Sequence, residues 1–140
     1  MLFACNMNAI RSPMAAAILR FLAGKQIYVK SGGVRAGEMD PFAIAAMDEI
    51  GIDIGKHRPV SIEDLEDTSF DLIVTLAPEA HHKALELTRT MAADVEYWPT
   101  LDPSAAAGNR EQIMASYRAV RDQLFEKIKV RFSFAGAPQA

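Results

Sequence analysis

Short apolar runs alternate with helix-like segments along this chain of 140 residues. The clearest run, FDLIVTL at residues 70–76, is rich in β-branched residues, which favour strands, and Pro78 follows it as a residue that commonly opens a helix. Parallel strands need a crossover between them, usually a helix. The alternation therefore predicts an α/β fold: a four-stranded parallel sheet with helices on both faces, in a single domain over residues 1–140.

The same signals predict the remaining elements. Further strands are expected at residues 2–5, 26–30 and 95–98. Helices are expected after Ser12, after Asp40, from Pro78 to about Thr90, and from Asn109 to about Phe132. Ser12 suits the N-cap of its helix, and Ser31 ends the second predicted strand. Ligands bind beyond the carboxyl ends of the strands in such sheets, so the residues after the first and fourth strands are the candidates for chemistry.

Composition excludes several classes of partner. Fifteen basic and eighteen acidic residues give a net charge of -3 without a basic run, so we expect no nucleic-acid partner. The start of the chain does not resemble a signal peptide, and no apolar run reaches the ~20 residues of a membrane span. The single cysteine cannot form an intrachain disulfide. We therefore expect a cytoplasmic protein, a monomer or weak dimer, away from membranes.

The three histidines show no metal-ligand spacing. His57, His81 and His82 have no cysteine or carboxylate partner at a recognisable distance along the chain, and we interpret them as turn or helix-surface residues. We expect neither a metal nor a cofactor.

A loop that can bind an anion follows the first predicted strand. Cys5 ends that strand, and after five intervening residues Arg11 and Ser12 follow at the start of a helix. A loop that runs into a helix N-terminus aims several backbone N–H groups at one point, which favours an anion. The predicted phosphate-binding residues are Asn6, Met7, Asn8, Ala9, Ile10, Arg11 and Ser12.

The same loop carries a candidate nucleophile. Its positive field favours the thiolate of Cys5 over the thiol, and the hydroxyl of Ser12 can donate a hydrogen bond to the sulfur. The planar guanidinium of Arg11 matches two phosphoryl oxygens. A thiolate beside a bound phosphate is placed for in-line attack, which would give a phosphocysteine.

Asp102 is the candidate general acid. It follows the fourth predicted strand, at the same edge of the sheet as Cys5, and precedes Pro103, which favours an extended backbone at Asp102. A carboxylic acid there could protonate the leaving oxygen and later deprotonate a water molecule.

The chain resembles the low-molecular-weight protein tyrosine phosphatases and the arsenate reductases that share their fold. The resemblance covers nearly the whole chain, through CNMNAIRSPMA, SGGVRAGEMDP, GIDIGKHRP, FDLIVTLAPEA and YWPTLDP. It implies Cys5 as nucleophile, Arg11 as transition-state clamp and Asp102 as general acid. It also implies that Asn8 and Ser12 organise the loop and that Ser31 helps to hold Asn8.

Four positions depart from the family pattern. Met7 stands where the family usually has glycine, and Ile10 where many members have a second cysteine. Ala77 stands where thioredoxin-coupled arsenate reductases have a cysteine. Ser104 follows Asp-Pro where tyrosine phosphatases often have an aromatic residue. The departures bear on the thiol chemistry and on the choice of substrate.

Three functions stay open at this point. The first is a phosphomonoester phosphatase with a phosphocysteine intermediate, acting on a phosphorylated protein, such as a phosphotyrosine protein, or on a small molecule. The second is an arsenate reductase coupled to an external low-molecular-weight thiol, and the third is a non-catalytic phosphate-binding module disabled by Met7.

Overall fold

The alternation of strands and helices is confirmed by the computed structural model, which describes residues 1–66 and 69–132. The strands are β1 (Leu2–Cys5), β2 (Lys30–Gly33), β3 (Leu72–Thr75) and β4 (Asp94–Tyr97), all parallel, in the spatial order β2-β1-β3-β4. The α-helices are α1 (Arg11–Ala23), α2 (Pro41–Asp48), α3 (Pro78–Leu87) and α4 (Arg110–Arg131), and Ile62–Asp64 and Pro103–Ala105 form short 3-10 helices. This is a single α/β domain with a four-stranded parallel sheet, as predicted.

Alternate residues of β1 face two separate apolar cores, as the two-residue period of a strand requires. Phe3 and Cys5 pack into the larger core, to which α1, α2 and α4 contribute. Leu2 and Ala4 pack into the smaller one, with Ala80 of α3. Helices therefore cover both faces, and β1 lies in the middle of the sheet with its carboxyl end at the loop that begins after Cys5.

The predicted position of the second strand was wrong. β2 begins at Lys30, which pairs with Leu2, and includes Ser31 and both following glycines. A Cβ at Gly33 would lie 2.5 Å from the carbonyl oxygen of Arg35 and 2.7 Å from the nitrogen of Asn8. The close approach of neighbouring backbone at this point thus places glycines inside a strand, against their usual preference.

The predicted start of α1 was also wrong. The helix begins at Arg11, and Ile10 occupies the N-cap position without a side-chain cap. Ser12 is therefore not the N-cap, and its hydroxyl is free to bond elsewhere. The first N–H groups of a helix have no partner within the helix, so an uncapped start leaves donors directed at the preceding loop.

The remaining predictions differ only at element ends. Asp40 caps α2 by accepting from the backbone N–H of Phe42, and Asn109 caps α4 in a reciprocal capping box with Gln112. The third helix ends at Leu87, three residues before the predicted end. None of the helices within residues 1–66 and 69–132 has the length and apolar character needed to cross a bilayer.

Candidate active site

The loop after β1 is tied down through its carbonyl groups. The carbonyl oxygens of Cys5, Asn6 and Met7 accept hydrogen bonds of 3.0, 2.8 and 2.8 Å from the N–H groups of Val34, Arg35 and Gly37, in that order. No backbone N–H from residue 6 to residue 10 donates to another residue that the structure describes. The loop is therefore held by its acceptors while its donors are free for an anion, which fits the predicted phosphate-binding loop.

The sulfur of Cys5 lies 2.9 Å from the hydroxyl oxygen of Ser12. Asn8 donates to that hydroxyl through its Nδ2 atom at 2.8 Å, and the carbonyl oxygen of Gly32 lies 3.4 Å from it. A hydroxyl has one proton, so once Ser12 accepts from Asn8 its own proton goes to the sulfur or to the more distant carbonyl. A thiolate at Cys5 would take that proton as its hydrogen bond.

Asn8 is fully buried and has φ of 52°, in the left-handed region that asparagine tolerates better than most residues. Its Oδ1 atom accepts from the backbone N–H of Val60 at 3.0 Å and lies 2.9 Å from Nε2 of His57. Nε2 of His57 therefore carries the proton in this arrangement. Burial, helped by the charge of Arg20, holds the pKa of His57 below its ordinary value, although hydrogen bonding with the backbone of Asn8 acts in the opposite direction.

Sequence reasoning missed His57. Its partner Asn8 is 49 residues away in the chain, and the turn that carries it showed no ligand spacing. The resemblance had instead implied that Ser31 holds Asn8. Ser31 is buried in β2, but among the described residues the side chain of Asn8 donates to Ser12 and accepts from His57 and Val60.

Arg11 and Asp102 meet at the same pocket as Cys5. Arg11 is buried; its Nη1 donates to the carbonyl oxygen of Thr100 at 2.9 Å, and its Nη2 lies 3.9 Å from Oδ2 of Asp102. Asp102 has the extended backbone predicted for it, with φ of -82° and ψ of 109°. Its Oδ1 accepts from the N–H and hydroxyl of Ser104, which leaves Oδ2 directed toward Arg11.

The pocket itself has a volume of about 340 Å³. It is lined by Cys5, Met7, Ala9, Ile10 and Arg11 of the first loop, by residues 37–41, and by Asp102 and Ser104. Of the predicted phosphate-binding residues, Asn6, Asn8 and Ser12 do not line it. The structure thus brings the three predicted catalytic side chains together at one opening. Within the described residues, no group of three His, Cys, Asp or Glu side chains could hold a metal ion.

Met7 does not strain the loop. Asn8 is the one non-glycine residue of the described chain with a positive φ, so the backbone at Met7 is of a kind that any residue can adopt. Its side chain is partly exposed and packs on Gly37, where an added Cβ would lie 3.1 Å from the Cβ of Met7 and 3.2 Å from its Cε. The space for a side chain at position 7 is therefore provided by a glycine in the neighbouring loop.

The family of the chain follows from its sequence as a whole. The family of low molecular weight phosphotyrosine protein phosphatases matches residues 1–131. The chain belongs to this family.

Curated members of similar sequence are named as arsenate reductases. The arsenate reductase of Bacillus subtilis is 32% identical over 127 residues, which cover 91% of this chain and 90% of that protein. The glutaredoxin arsenate reductase of Synechocystis is 30% identical over 129 residues, with 91% and 92% covered.

Solved structures of both kinds share the fold. An arsenate reductase in the phosphate binding state superposes with a TM-score of 0.71 at 28% identity and covers 93% of each chain. A tyrosine phosphatase of Erwinia amylovora gives a TM-score of 0.72 at 18% identity, covering 91% of this chain and 87% of that one, which shows the fold alone.

Proposed function

We propose that this chain is a cysteine-dependent phosphomonoester phosphatase that acts through a phosphocysteine intermediate. The observation that carries the proposal is the arrangement at the pocket. The sulfur of Cys5 lies 2.9 Å from a hydroxyl that can donate to it, and Arg11 and Asp102 line the same opening. A hydrolase of this kind needs one thiol, one anion clamp and one acid, and the proposal gives these roles to Cys5, Arg11 and Asp102, which line one pocket.

In the first step the phosphoryl oxygens bind the free N–H groups of the loop and the guanidinium of Arg11. The thiolate of Cys5 attacks phosphorus, the phosphorus–oxygen bond to the leaving group breaks, and Asp102 gives its proton to the leaving oxygen. In the second step Asp102 takes a proton from water, whose oxygen attacks phosphorus. Inorganic phosphate leaves and the thiolate of Cys5 is restored.

The natural substrate would be a phosphorylated protein or small molecule. We place the enzyme in the cytoplasm, because a reducing compartment keeps the nucleophilic thiol of Cys5 from oxidation. We expect residues 1–140 to act as one domain, as a monomer or weak dimer, because nucleophile, clamp and acid all come from one chain.

A second candidate is reduction of arsenate, which is favoured by the names of the curated relatives. Reduction of arsenate to arsenite takes two electrons, which two thiols supply when they become one disulfide. The chain has a single cysteine, so a relay of thiols within one chain is impossible. Cys5 could form the first arsenate adduct, and an external low-molecular-weight thiol would have to supply the remaining reducing equivalents.

The test compares the unmodified protein with Cys5→Ser in metal-free hydrolysis of p-nitrophenyl phosphate between about pH 5 and pH 7. Binding of inorganic phosphate to both proteins, measured by calorimetry, is the control for an intact loop. Activity that disappears in the variant while phosphate still binds supports the phosphatase. An equal rate in both proteins contradicts it.

A second assay separates the alternatives if no hydrolysis is found. Arsenate-dependent consumption of glutathione, mycothiol or bacillithiol, absent in Cys5→Ser, would establish the reductase. Phosphate binding without hydrolysis or thiol consumption would leave a non-catalytic binding module.

A further inference from the structure

The charges around the pocket are unequal. Three carboxylates line it, those of Glu38, Asp40 and Asp102, whereas Arg11 is the one cation among the described lining residues. In the proposed reaction a phosphoryl dianion occupies the loop and pairs with Arg11. The carboxylates of Glu38 and Asp40 then face the rest of the substrate, and the described lining residues offer no further cation to pair with them.

Asp40 is fixed in place on that wall. Its Oδ1 atom accepts from the backbone N–H of Phe42 at 2.8 Å, and its Oδ2 atom accepts from the hydroxyl of Tyr117 at 2.7 Å. Tyr117 is 2% exposed, and its ring packs on that of Phe42 with centroids 5.5 Å apart. Burial, followed by the bond to Asp40, raises the pKa of Tyr117, so the hydroxyl keeps its proton and stays a donor at neutral pH.

Neither partner neutralises Asp40. A backbone N–H and a phenol orient the carboxylate but carry no positive charge. Capping of α2 uses only Oδ1, and asparagine would cap as well, so capping alone does not require a charge here. The second bond, from a helix 77 residues further along the chain, fixes a negative charge at the pocket.

Glu38 adds to this charge. It is exposed and makes no hydrogen bond or ion pair with the residues that the structure describes. Met7, Met39 and Pro41 form apolar wall between and around the carboxylates. The pocket thus combines an anion site at its base with apolar sides and a negative wall.

We propose that Asp40, positioned by Tyr117 and assisted by Glu38, selects phosphomonoesters whose leaving group carries an ammonium or guanidinium group close to the phosphate. The inference rests on the proposed function and names its substrate class. Partly exposed charges interact over about a Debye length, ~8 Å at physiological salt, which a short aminoalkyl or aminoalkyl-aryl group would span. An acidic substituent at the same place would be repelled.

The test uses three aryl phosphates of similar shape, the O-phosphates of tyramine, para-ethylphenol and para-hydroxyphenylpropanoate. Two methylene groups separate the charge from the ring, so the three phenols leave with similar ease. We expect kcat/KM to fall from the cationic to the neutral to the anionic ester, by about 10-fold in total, mainly through KM. The differences in kcat/KM among the three esters should become smaller when the salt concentration is raised from about 50 mM to about 500 mM.

Variants assign the preference to residues. Asp40→Asn keeps the cap of α2 but removes the charge, and should reduce the ratio of kcat/KM between the cationic and the anionic ester by about 3-fold. Glu38→Gln should reduce this ratio less, because Glu38 is not held in place. Tyr117→Phe keeps the ring and frees the carboxylate, so it should also reduce this ratio. Glu86→Gln, an exposed change on α3 away from the pocket, is the matched control and should keep it.

Binding to Cys5→Ser, measured by calorimetry, separates this inference from the proposed reaction. Graded affinities for the three esters without turnover in the unmodified protein would refute the phosphatase but support the selection. Equal affinities, or a preference that survives in Asp40→Asn, would overturn the selection. Phosphotyrosine peptides with lysine or glutamate neighbours then distinguish a basic peptide from a small amine as the source of the cation.

Discussion

The ring of His57 lies 2.9 Å from the side-chain oxygen of Asn8 and is connected to the sulfur of Cys5 through three successive hydrogen bonds. The amide of Asn8 donates to Ser12, and the hydroxyl of Ser12 lies 2.9 Å from that sulfur. When Cys5 is a thiolate, every donor in this chain of bonds points toward the sulfur. His57, which does not line the pocket, would thus add to the hydrogen bonding of a thiolate at Cys5, since hydrogen bonds in series polarise one another.

Removal of His57 should therefore weaken both the loop and the nucleophile. We expect His57→Ala to lower kcat/KM by about 10-fold and the free energy of unfolding by about 1–2 kcal/mol, because Oδ1 of Asn8 loses one of its two donors. Alkylation of Cys5 by iodoacetamide should slow as well. His82→Ala, an exposed change on α3, is the control. If His57→Ala were as active and as stable as the control, the contact between His57 and Asn8 would contribute to neither catalysis nor stability.

The lowered pKa of His57 predicts how stability depends on pH. The unfolded chain binds a proton at the ordinary value of 6.5 and the folded chain only at a lower pH, so the free energy of unfolding should fall as pH drops below 6.5. Glu49 affects the free energy of unfolding in a separate, lower pH range, because Arg118 and Arg121 lower its pKa from 4.5 to about 2. Chemical denaturation at several pH values, compared with His57→Ala, tests this. The slope between about pH 5 and pH 7 should be smaller in the variant.

Because Asn8 has a positive φ, two substitutions can distinguish the cost of losing its side-chain hydrogen bonds from the cost of backbone strain. Asn8→Gly loses the side-chain bonds but keeps the backbone, whereas Asn8→Ala also strains it, so alanine should be about 1 kcal/mol less stable than glycine. Gly51→Ala is a benchmark for strain alone, because Gly51 has φ of 78° and nothing within 4 Å of an added Cβ. That change should lower stability by a similar amount and keep activity. Equal stability of the two Asn8 variants would mean that the loop relaxes.

Met7 and Gly37 should behave as a coupled pair. Gly37→Ala places a methyl group 3.1 Å from the Cβ of Met7, so we expect a loss of about 1 kcal/mol and weaker phosphate binding. The loss should be smaller in the Met7→Gly background, where the opposing Cβ is gone. A double-mutant cycle of unfolding free energies measures the difference. If the effects of the two substitutions on the free energy of unfolding were strictly additive, Met7 and Gly37 would not be coupled as proposed.

Replacement of Asp102 should act through the leaving group. Asp102→Asn cannot donate a proton, so it should lower kcat by about 100-fold or more for phenyl phosphate, a poor leaving group, and much less for p-nitrophenyl phosphate. Phosphate affinity, measured by calorimetry, should stay within about 3-fold if the loop is intact. Equal losses for both esters would remove Asp102 from the role of general acid.

Local patterns were enough to predict the parts of the fold in which a segment decides its own structure. β1 is a short buried run, and the caps of α2 and α4 are set by Asp40 and Asn109 within their own turns. The predicted position of β2 was wrong because its glycines are required by residues that approach from other parts of the chain, through backbone at Gly33 and through side chains at Gly32. A Cβ at Gly32 would lie 3.2 Å from a side-chain carbon of Ile62, thirty positions away.

The same distinction holds at the candidate site. Cys5, Arg11 and Ser12 are recognisable by their spacing, and the structure places Cys5 and Arg11 at one pocket. His57 and Tyr117 were not recognisable, because each acts on a residue many positions away, Asn8 and Asp40 respectively. The need for glycine at position 37 was likewise not recognisable, because it comes from the side chain of Met7, which packs on it.

The backbone bonds between the two loops end at Gly37, and the next anchor is Asp40, held by Phe42 and Tyr117. Residues 38 and 39 therefore form a short bridge between two fixed points, Gly37, which is bonded to the predicted phosphate-binding loop, and Asp40 at the N-cap of α2. Under the proposed selection, exchange of residues 38 and 39 would alter substrate preference while leaving Asp40, the nucleophile and its supports in place. This short segment is thus a place where substrate preference can change, in evolution or in the laboratory, without any change in the catalytic residues.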